Sequence, residues 1–179
     1  EWIEGRILSS GPRTNPWMQE ASNRIVQQNE IVSFDTDMVG PYGYCADISR
    51  TFVEGHKFNS EQKKIYQMAI DHIHHNGELI KPGLSFKEFV TKSWVLPEAY
   101  YGNRYPCIVH GIGLCDEWPM VKYPTEVTDE KGQFEKDMTI TVESYIGEVG
   151  GKEGVKLEQQ YLIKENGLEL LSHHPLEKI

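Results

Sequence analysis

Apolar and polar residues alternate along the chain near both of its ends. Residues 30–39 and 47–55 alternate over the length of a strand and are separated by a turn containing proline and glycine, which predicts two paired strands. Residues 138–149 and 154–167 alternate in the same way around a glycine-rich loop, and residues 168–172 follow an Asn-Gly turn as a short last strand. A period of two residues therefore predicts antiparallel sheet at both ends of the chain.

The middle of the chain has the spacing of amphipathic helices. Residues 59–83 place apolar side chains on one face, with a cap at Asn59 or Ser60 and a stop at Pro82-Gly83, which predicts a long helix. Residues 85–96 open with Ser85-x-x-Glu88, a capping-box pattern that predicts a second helix. Apolar spacing also predicts a helix over residues 15–28, whereas residues 100–120, rich in aromatics, are predicted to be irregular.

The order of these elements predicts the fold class. Strands first, helices in the middle and strands last are typical of an α+β domain with an antiparallel sheet. A chain of 179 residues, 39% of them hydrophobic, is long enough for one domain with its own core. It begins with Glu1, in the middle of a pattern, so we expect it to be a piece of a longer protein.

Charge and cysteine content narrow the expected partners. The net charge is −9 and no stripe of lysine and arginine appears, which argues against a nucleic-acid partner or an anionic membrane surface. No apolar run approaches the length of a membrane span. The three cysteines, Cys45, Cys107 and Cys115, form no Cys-x-x-Cys pair, so we interpret them as reduced thiols and expect a cytoplasmic protein.

Several carboxylates lie inside strands that otherwise resemble core. Asp35 and Asp37 are two residues apart and are predicted to project from one face, Asp47 begins the next strand, and Glu143 and Glu158 each have apolar neighbours. A carboxylate in an apolar strand is costly unless something compensates its charge. Ordinary surface acids on half-exposed strands are the alternative.

A histidine completes this candidate metal site. His110 lies in a Gly-x-Gly loop, and several carboxylates with one imidazole suit two divalent ions bridged by shared acids. Iron, manganese, cobalt and zinc all accept such ligands. His72, His74 and His75 lie on the predicted long helix without the His-Glu-x-x-His spacing, and we interpret them as a solvated helix face.

Four blocks of sequence resemble one enzyme superfamily. Residues 34–55, the His-Gly-Ile-Gly at 110–113, residues 138–148 and residues 154–163 are similar to the signature blocks of the creatinase/prolidase/methionine aminopeptidase superfamily. The resemblance implies a pita-bread fold, a curved antiparallel sheet with helices on its outer face, of which residues 1–179 would be most of the catalytic domain. It also implies a homodimer and a two-metal centre whose ligands match Asp35 and/or Asp37, Asp47, His110, Glu143 and Glu158.

The departures from the peptidase pattern are as informative as the matches. Asp116 stands where the peptidases have a histidine after His-Gly-x-Gly, and Trp17 stands near the place of a second, upstream histidine. Ser144 replaces the proline that follows the glutamate, and Asp37 replaces a glycine. Metal binding is thus expected to be retained, while the histidines that serve peptide cleavage are absent.

One branch of the superfamily, the metal-dependent dimethylsulfoniopropionate lyases, fits these changes. The resemblance implies cleavage of this zwitterion to dimethyl sulfide and acrylate, with iron as the expected ion. It implies that Asp35, Asp37, Asp47, His110, Glu143 and Glu158 are all ligands. It further implies catalytic roles for Tyr105 and Asp116.

The residues themselves agree with a β-elimination. A base beside the metal site is needed to remove the proton next to the substrate carboxylate, and Asp116, six residues after His110, is a candidate. A sulfonium group favours aromatic faces, which Trp17, Tyr101, Tyr105 and Trp118 could supply. The aromatic residues could equally be packing residues.

Two other functions remain open from the sequence. A dinuclear peptidase of the Xaa-Pro type would use a metal-bound hydroxide, with Glu143 as its proton shuttle. A catalytically inactive pita-bread protein would act as a binding module, although such proteins normally lose metal ligands.

Overall fold

The computed structural model describes residues 2–3, 7–17, 19–124 and 131–176, with the backbone alone at residues 2, 3 and 56. Its strands are β1 (Trp2–Ile3), β2 (Leu8–Ser10), β3 (Ile31–Asp35), β4 (Met38–Val39), β5 (Cys45–Ala46), β6 (Ser49–Val53), β7 (Cys107–Ile112), β8 (Asp116–Lys122), β9 (Thr139–Gly147), β10 (Gly154–Lys164) and β11 (Gly167–Leu170). Its α-helices are α1 (Ser60–Leu79), α2 (Phe86–Lys92) and α3 (Glu98–Tyr101), and short 3-10 turns cover Gly11–Thr14, Pro41–Gly43 and Glu54–His56.

The strands form three sheets in the described part of the chain. The largest has the order β11-β10-β9-β7-β8, and the two smaller ones have the orders β2-β3-β6 and β1-β4-β5. Every strand pair is antiparallel. The predicted α+β class, the pairing of the first two strands and the three strands at the end of the chain are confirmed.

The central strands of the large sheet have two different faces. Val142 of β9 and Leu157 of β10 belong to the apolar core, against which α1 packs. The neighbouring residues, Glu143 and Glu158, lie directly opposite each other across the β9–β10 ladder, and both are almost completely buried. Because side chains alternate along a strand, the two glutamates project from the face away from this core.

Helix α1 begins and ends as its sequence predicts. The Asn59 side chain accepts a hydrogen bond from the Gln62 amide, and the Gln62 side chain accepts one from the Asn59 amide, which completes a capping box. Ile65 and Ile73 are buried on one side of the helix, each worth roughly 2 kcal/mol relative to an exposed position. No helix among the described residues is long and apolar enough to cross a membrane.

His72 departs from the expectation of a solvated helix face. His74 and His75 are exposed, as expected, but His72 is fully buried. It lies on the same side of α1 as the core residues Ala69 and Ile73, so its position in the helical repeat outweighs its polarity.

The helix predicted over residues 15–28 is wrong. Apart from Met18, which lies outside the described residues, this segment has no regular structure, and Ile25 and Val26 are exposed rather than packed. The Asn15 side chain instead donates hydrogen bonds to the carbonyls of Glu148 and Gly151 in the β9–β10 loop. These long-range contacts fix the start of the segment, and local apolar spacing does not reveal them.

Residues 100–120 were predicted to be irregular, but they contain strand β7 and the start of β8. All six residues of β7 are buried, so the strand has none of the polar alternation by which half-exposed strands are recognised. The β7–β8 register shifts between His110 and Gly111. A Cβ atom on Gly111 would lie 2.3 Å from the Trp118 carbonyl oxygen, so the shift requires a glycine there.

Candidate metal centre

Five predicted ligands meet on one face of the large sheet. Asp35 ends β3, Asp47 lies between β5 and β6, His110 is in β7, and Glu143 and Glu158 are in β9 and β10. All five side chains are buried. We call these residues the acid cluster. Its members are separated by as much as 123 positions in the sequence, so the tertiary fold rather than local spacing assembles it.

The His110 imidazole is surrounded by carboxylates. Its Nε2 atom lies 3.1 Å from Glu143 Oε1, 3.5 Å from Asp47 Oδ2 and 3.6 Å from Glu158 Oε1. The other ring nitrogen, Nδ1, lies 2.9 Å from the Gly111 carbonyl oxygen. A hydrogen bond from Nδ1 to a carbonyl leaves Nε2 as the electron-pair donor, which is the usual arrangement of a metal-binding histidine.

Three carboxylate oxygens of the acid cluster lack a hydrogen-bond donor among the described residues. They are Asp47 Oδ1, Glu143 Oε1 and Glu158 Oε1. A buried acceptor without a partner costs about 1–3 kcal/mol, and more when it is charged. These oxygens suit a divalent cation, which would supply the partner that they lack and offset their negative charge.

The ligand atoms form overlapping groups. His110, Glu143 and Glu158 make one group, and Asp35, Asp47 and Glu158 make another, with ligand atoms within 4.8 Å of one another in each. Glu158 belongs to both groups. A shared carboxylate between two sets of ligands fits two neighbouring divalent ions better than one.

The two aspartates of the acid cluster are costly to ionise. Burial raises the pKa of Asp35 to about 7 and the pKa of Asp47 to about 10, and the nearby charge of Glu158 raises both further. Their charged forms therefore require a cation nearby. Metal binding must displace these protons, so it is favoured as the pH rises.

The pKa values of Glu158 and His110 are set by neighbouring charged groups rather than by burial. Burial alone would raise the pKa of Glu158, but Lys156 and His110 hold it below its ordinary value. Burial alone would lower the pKa of His110, but the nearby carboxylates of Asp47, Glu143 and Glu158 place it above its ordinary value. The surrounding acids thus favour a positive charge at the centre of the cluster.

Lys156 is the residue of this site that the sequence analysis missed. Its ammonium lies inside the acid cluster, 2.7 Å from Glu143 Oε2 and 3.3 Å from Glu158 Oε2. Burial alone would lower its pKa, but Asp35, Glu143 and Glu158 raise it well above the ordinary value. The signal was present, because a residue two positions before Glu158 in a strand shares its face.

Asp37 is the predicted ligand that the close groups of ligand atoms do not include. The strand that was expected to carry both aspartates is interrupted at Thr36 and Asp37, between β3 and β4. Asp37 is partly buried and is not a member of the close groups of ligand atoms found among the described residues. Its assignment as a ligand stays a prediction.

Asp116 lies at the edge of the acid cluster. Its Oδ1 atom is 3.9 Å from His110 Nδ1, and its side chain is 53% exposed, in contrast to the buried ligands. It forms a further group of possible ligands with Asp47 and His110. The next residue, Glu117, accepts a hydrogen bond from the Leu114 amide and so braces the turn that presents Asp116.

Tyr105 and Trp17 flank the centre. The Lys156 ammonium lies 5.0 Å from the Tyr105 ring centroid and 5.7 Å from that of Trp17. The charge of Glu143, with burial, raises the pKa of the Tyr105 hydroxyl, which stays protonated. Trp17 is buried against Tyr145, and its indole Nε1 has no acceptor among the described residues.

The other two aromatic candidates have different surroundings. Trp118 is 55% exposed, lies two residues from Asp116 on β8 and packs edge-on against Phe86. The Arg104 guanidinium covers one face of the Tyr101 ring at 4.0 Å, so that face is not available to a substrate cation. The substrate-binding roles of Trp17, Tyr101 and Trp118 stay predictions.

Comparisons with known proteins agree with this geometry. The family described as metallopeptidase family M24 matches residues 1–165. The dimethylsulfoniopropionate lyase DddP of Roseovarius nubinhibens is 46% identical over an alignment that covers 99% of this chain and 40% of that protein. A protein of the same name from Roseobacter denitrificans is 45% identical, with the same coverage of both chains.

A solved structure extends the comparison to the fold. The prolidase from Pyrococcus furiosus superposes with a TM-score of 0.80 at 26% identity, over 94% of this chain and 49% of that one. The expected α+β pita-bread fold is confirmed. The chain spans less than half the length of these relatives.

Proposed function

Because this chain belongs to metallopeptidase family M24, we propose that it is most of the catalytic domain of a metal-dependent carbon–sulfur lyase. The substrate is dimethylsulfoniopropionate, a small zwitterion, and the products are dimethyl sulfide and acrylate. The identity of 46% to a lyase of this name supports the proposal.

The observation that carries the proposal is the position of Asp116. A half-exposed carboxylate lies 3.9 Å from His110, beside a buried cluster whose open oxygens suit metal ions. The acid cluster binds cations, and Asp116 remains accessible to a substrate. A general base in an elimination needs this placement, next to the bound substrate but outside the ligand set.

The proposed reaction is a base-promoted β-elimination. Asp116 takes the proton from the carbon next to the substrate carboxylate, the electron pair of that C–H bond forms the C=C bond, and the C–S bond breaks with its electrons on sulfur. Ions held by the acid cluster would supply charge stabilisation for the substrate carboxylate as negative charge develops. The exposed ring of Trp118 holds the sulfonium group. Trp17 lines the site beside Lys156, and Tyr105 orients the substrate through its protonated hydroxyl.

The cofactor proposal follows the donor set. Two divalent ions are held by Asp35, Asp37, Asp47, His110, Glu143 and Glu158, with iron as the proposed metal and manganese, cobalt or zinc as alternatives. We further propose that the protein is a cytoplasmic homodimer.

The test is a comparison of two substrates. The full-length protein that contains this chain, loaded separately with Fe²⁺, Mn²⁺, Co²⁺ or Zn²⁺, is given dimethylsulfoniopropionate, and dimethyl sulfide is measured in the headspace. Release of dimethyl sulfide with one of these metals is expected. Cleavage of Xaa-Pro dipeptides without any dimethyl sulfide would overturn the proposal.

A dinuclear peptidase is the second candidate. The structural match to a prolidase favours it, because the acid cluster could equally serve a metal-bound nucleophile. Against it, Asp116 stands where the peptidase pattern has a histidine, and Trp17 stands near the place of the upstream one. The same two-substrate assay separates the two candidates.

A further inference from the structure

We infer that Lys156 is a positioning residue of the metal centre: its ammonium holds the outer oxygens of Glu143 and Glu158, so that their inner oxygens face the ions. The inference rests on metal binding by the acid cluster, which is part of the proposed function, but not on the identity of the substrate.

The glutamate carboxylates are each divided between two partners. The Oε2 atoms of Glu143 and Glu158 lie 2.7 Å and 3.3 Å from Lys156 Nζ. Their Oε1 atoms lie 3.1 Å and 3.6 Å from His110 Nε2 and have no hydrogen-bond donor among the described residues. Each glutamate therefore presents one occupied oxygen and one open oxygen, and the open ones point to the same place.

The remaining contacts of Lys156 reinforce this division. Its Nζ atom donates a hydrogen bond to Ser49 Oγ at 2.9 Å and lies 3.8 Å from Asp35 Oδ2. Ser49 Oγ in turn lies 2.9 Å from Glu158 Oε2. Lys156 thus touches acids of both ligand groups from the side opposite His110.

The side chain has no route to solvent in this arrangement. Lys156 is 1% exposed, and the rings of Tyr105 and Trp17 lie 5.0 Å and 5.7 Å from its ammonium. A buried ammonium is retained only when it is well paired, and removal of one partner leaves the other charges uncompensated. Lys156 is therefore a fixed part of the centre.

An alternative role for Lys156, in which its ammonium takes the place of a metal ion, predicts a different result. If the ammonium merely filled the place of an ion, metal would have to displace it, and removal of Lys156 would tighten metal binding. If Lys156 positions the ligands, its removal weakens binding, because outer partners of metal ligands contribute about 10–100-fold to metal affinity.

The experiment measures Zn²⁺ affinity of the full-length protein by competition with a chromophoric chelator. Lys156→Met, which keeps length and loses charge, should raise the Kd for Zn²⁺ by about 10–100-fold. Lys156→Arg should recover most of the affinity. Lys164→Met is the matched control, because Lys164 lies on the same strand but is exposed and pairs with Glu169, and its Kd should not change.

Unchanged or tighter Zn²⁺ binding by Lys156→Met would overturn the inference. If that variant does not fold, Lys156→Gln replaces it, because its amide can still donate a hydrogen bond in the buried site but carries no charge. A smaller weakening is then expected, and unchanged or tighter binding again overturns the inference. Zn²⁺ affinity is read without turnover, so a protein that passes this test yet releases no dimethyl sulfide contradicts only the lyase proposal.

Discussion

His110 and His72 are both buried, but their surroundings act on them in opposite ways. His110 lies among Asp47, Glu143 and Glu158, which place its pKa above the ordinary value. His72 packs between the rings of Trp94 and Tyr123, and burial lowers its pKa to about 3. One region of the protein accommodates positive charge and the other excludes it.

The contrast shows that burial alone does not identify a functional histidine. Among the described residues, the His72 imidazole has one hydrogen-bond partner, the Tyr123 hydroxyl at 3.3 Å, and its aromatic neighbours make it part of the core. His110 differs because acids from neighbouring strands converge on it. The acids, and not the histidine, distinguish the metal centre from the core.

The largest effect is expected from removal of the ligand that the two groups of the metal centre share. Glu158 belongs to both groups of ligand atoms, so Glu158→Gln should reduce the bound metal from two ions to one or none and lower turnover by at least about a hundredfold. Metal content by mass spectrometry and dimethyl sulfide release check this. Glu165→Gln, the same change at an exposed glutamate just after β10, is the control, and two retained ions in Glu158→Gln would contradict the assignment.

The second prediction tests whether His72 is neutral in the folded protein. The unfolded state takes up a proton near pH 6.5, but folded His72 does so only near pH 3, so the stability that neutral His72 provides is complete above pH 6.5 and is lost as the pH falls. The stability difference between wild type and His72→Gln should shrink by about 1.4 kcal/mol per pH unit below pH 6.5.

Urea unfolding at pH 7, 6 and 5 measures this difference. Asn59→Ala is the control, since it alters the cap of the same helix without removing a titratable group, and its stability difference should not change with pH. A pH-independent difference for His72→Gln would mean that folding leaves the pKa of His72 unchanged, which contradicts this prediction.

The smallest expected effect separates helix stability from metal binding. Asn59→Ala removes the cap of α1 and should lower the free energy of unfolding by about 1 kcal/mol. The metal content should not change, because α1 packs on the face of the sheet away from the acid cluster. Denaturant midpoints test the loss of stability, and metal analysis tests the unchanged metal content. Loss of metal would show that the two faces of the sheet are coupled.

The periodicity of apolar residues predicted the elements that bury one face and expose or pair the other. Strands β9 and β10 and helix α1 show their period directly, and Glu143 and Glu158 stood out because they interrupt apolar strands. The acid cluster was therefore visible as a set of residues before its geometry was known.

Long-range contacts account for what the sequence could not predict. Asn15 binds a loop more than 130 residues away, and the described part of residues 15–28 has no regular structure despite its helical spacing. Strand β7 is buried on both faces and lacks alternation. The spacing of Lys156 and Glu158 shows that they share a strand face, but the ion pair of Lys156 with Glu143 depends on the pairing of β9 with β10, which neither strand reveals by itself.

The most direct test of the account is the metal content and activity of Asp116→Asn. We predict that full-length protein with this change keeps its two metal ions and loses dimethyl sulfide release by about 100–10,000-fold, as expected for removal of a general base. Loss of a metal ion in this variant would instead make Asp116 a ligand, and unimpaired release of dimethyl sulfide would contradict its role as the base.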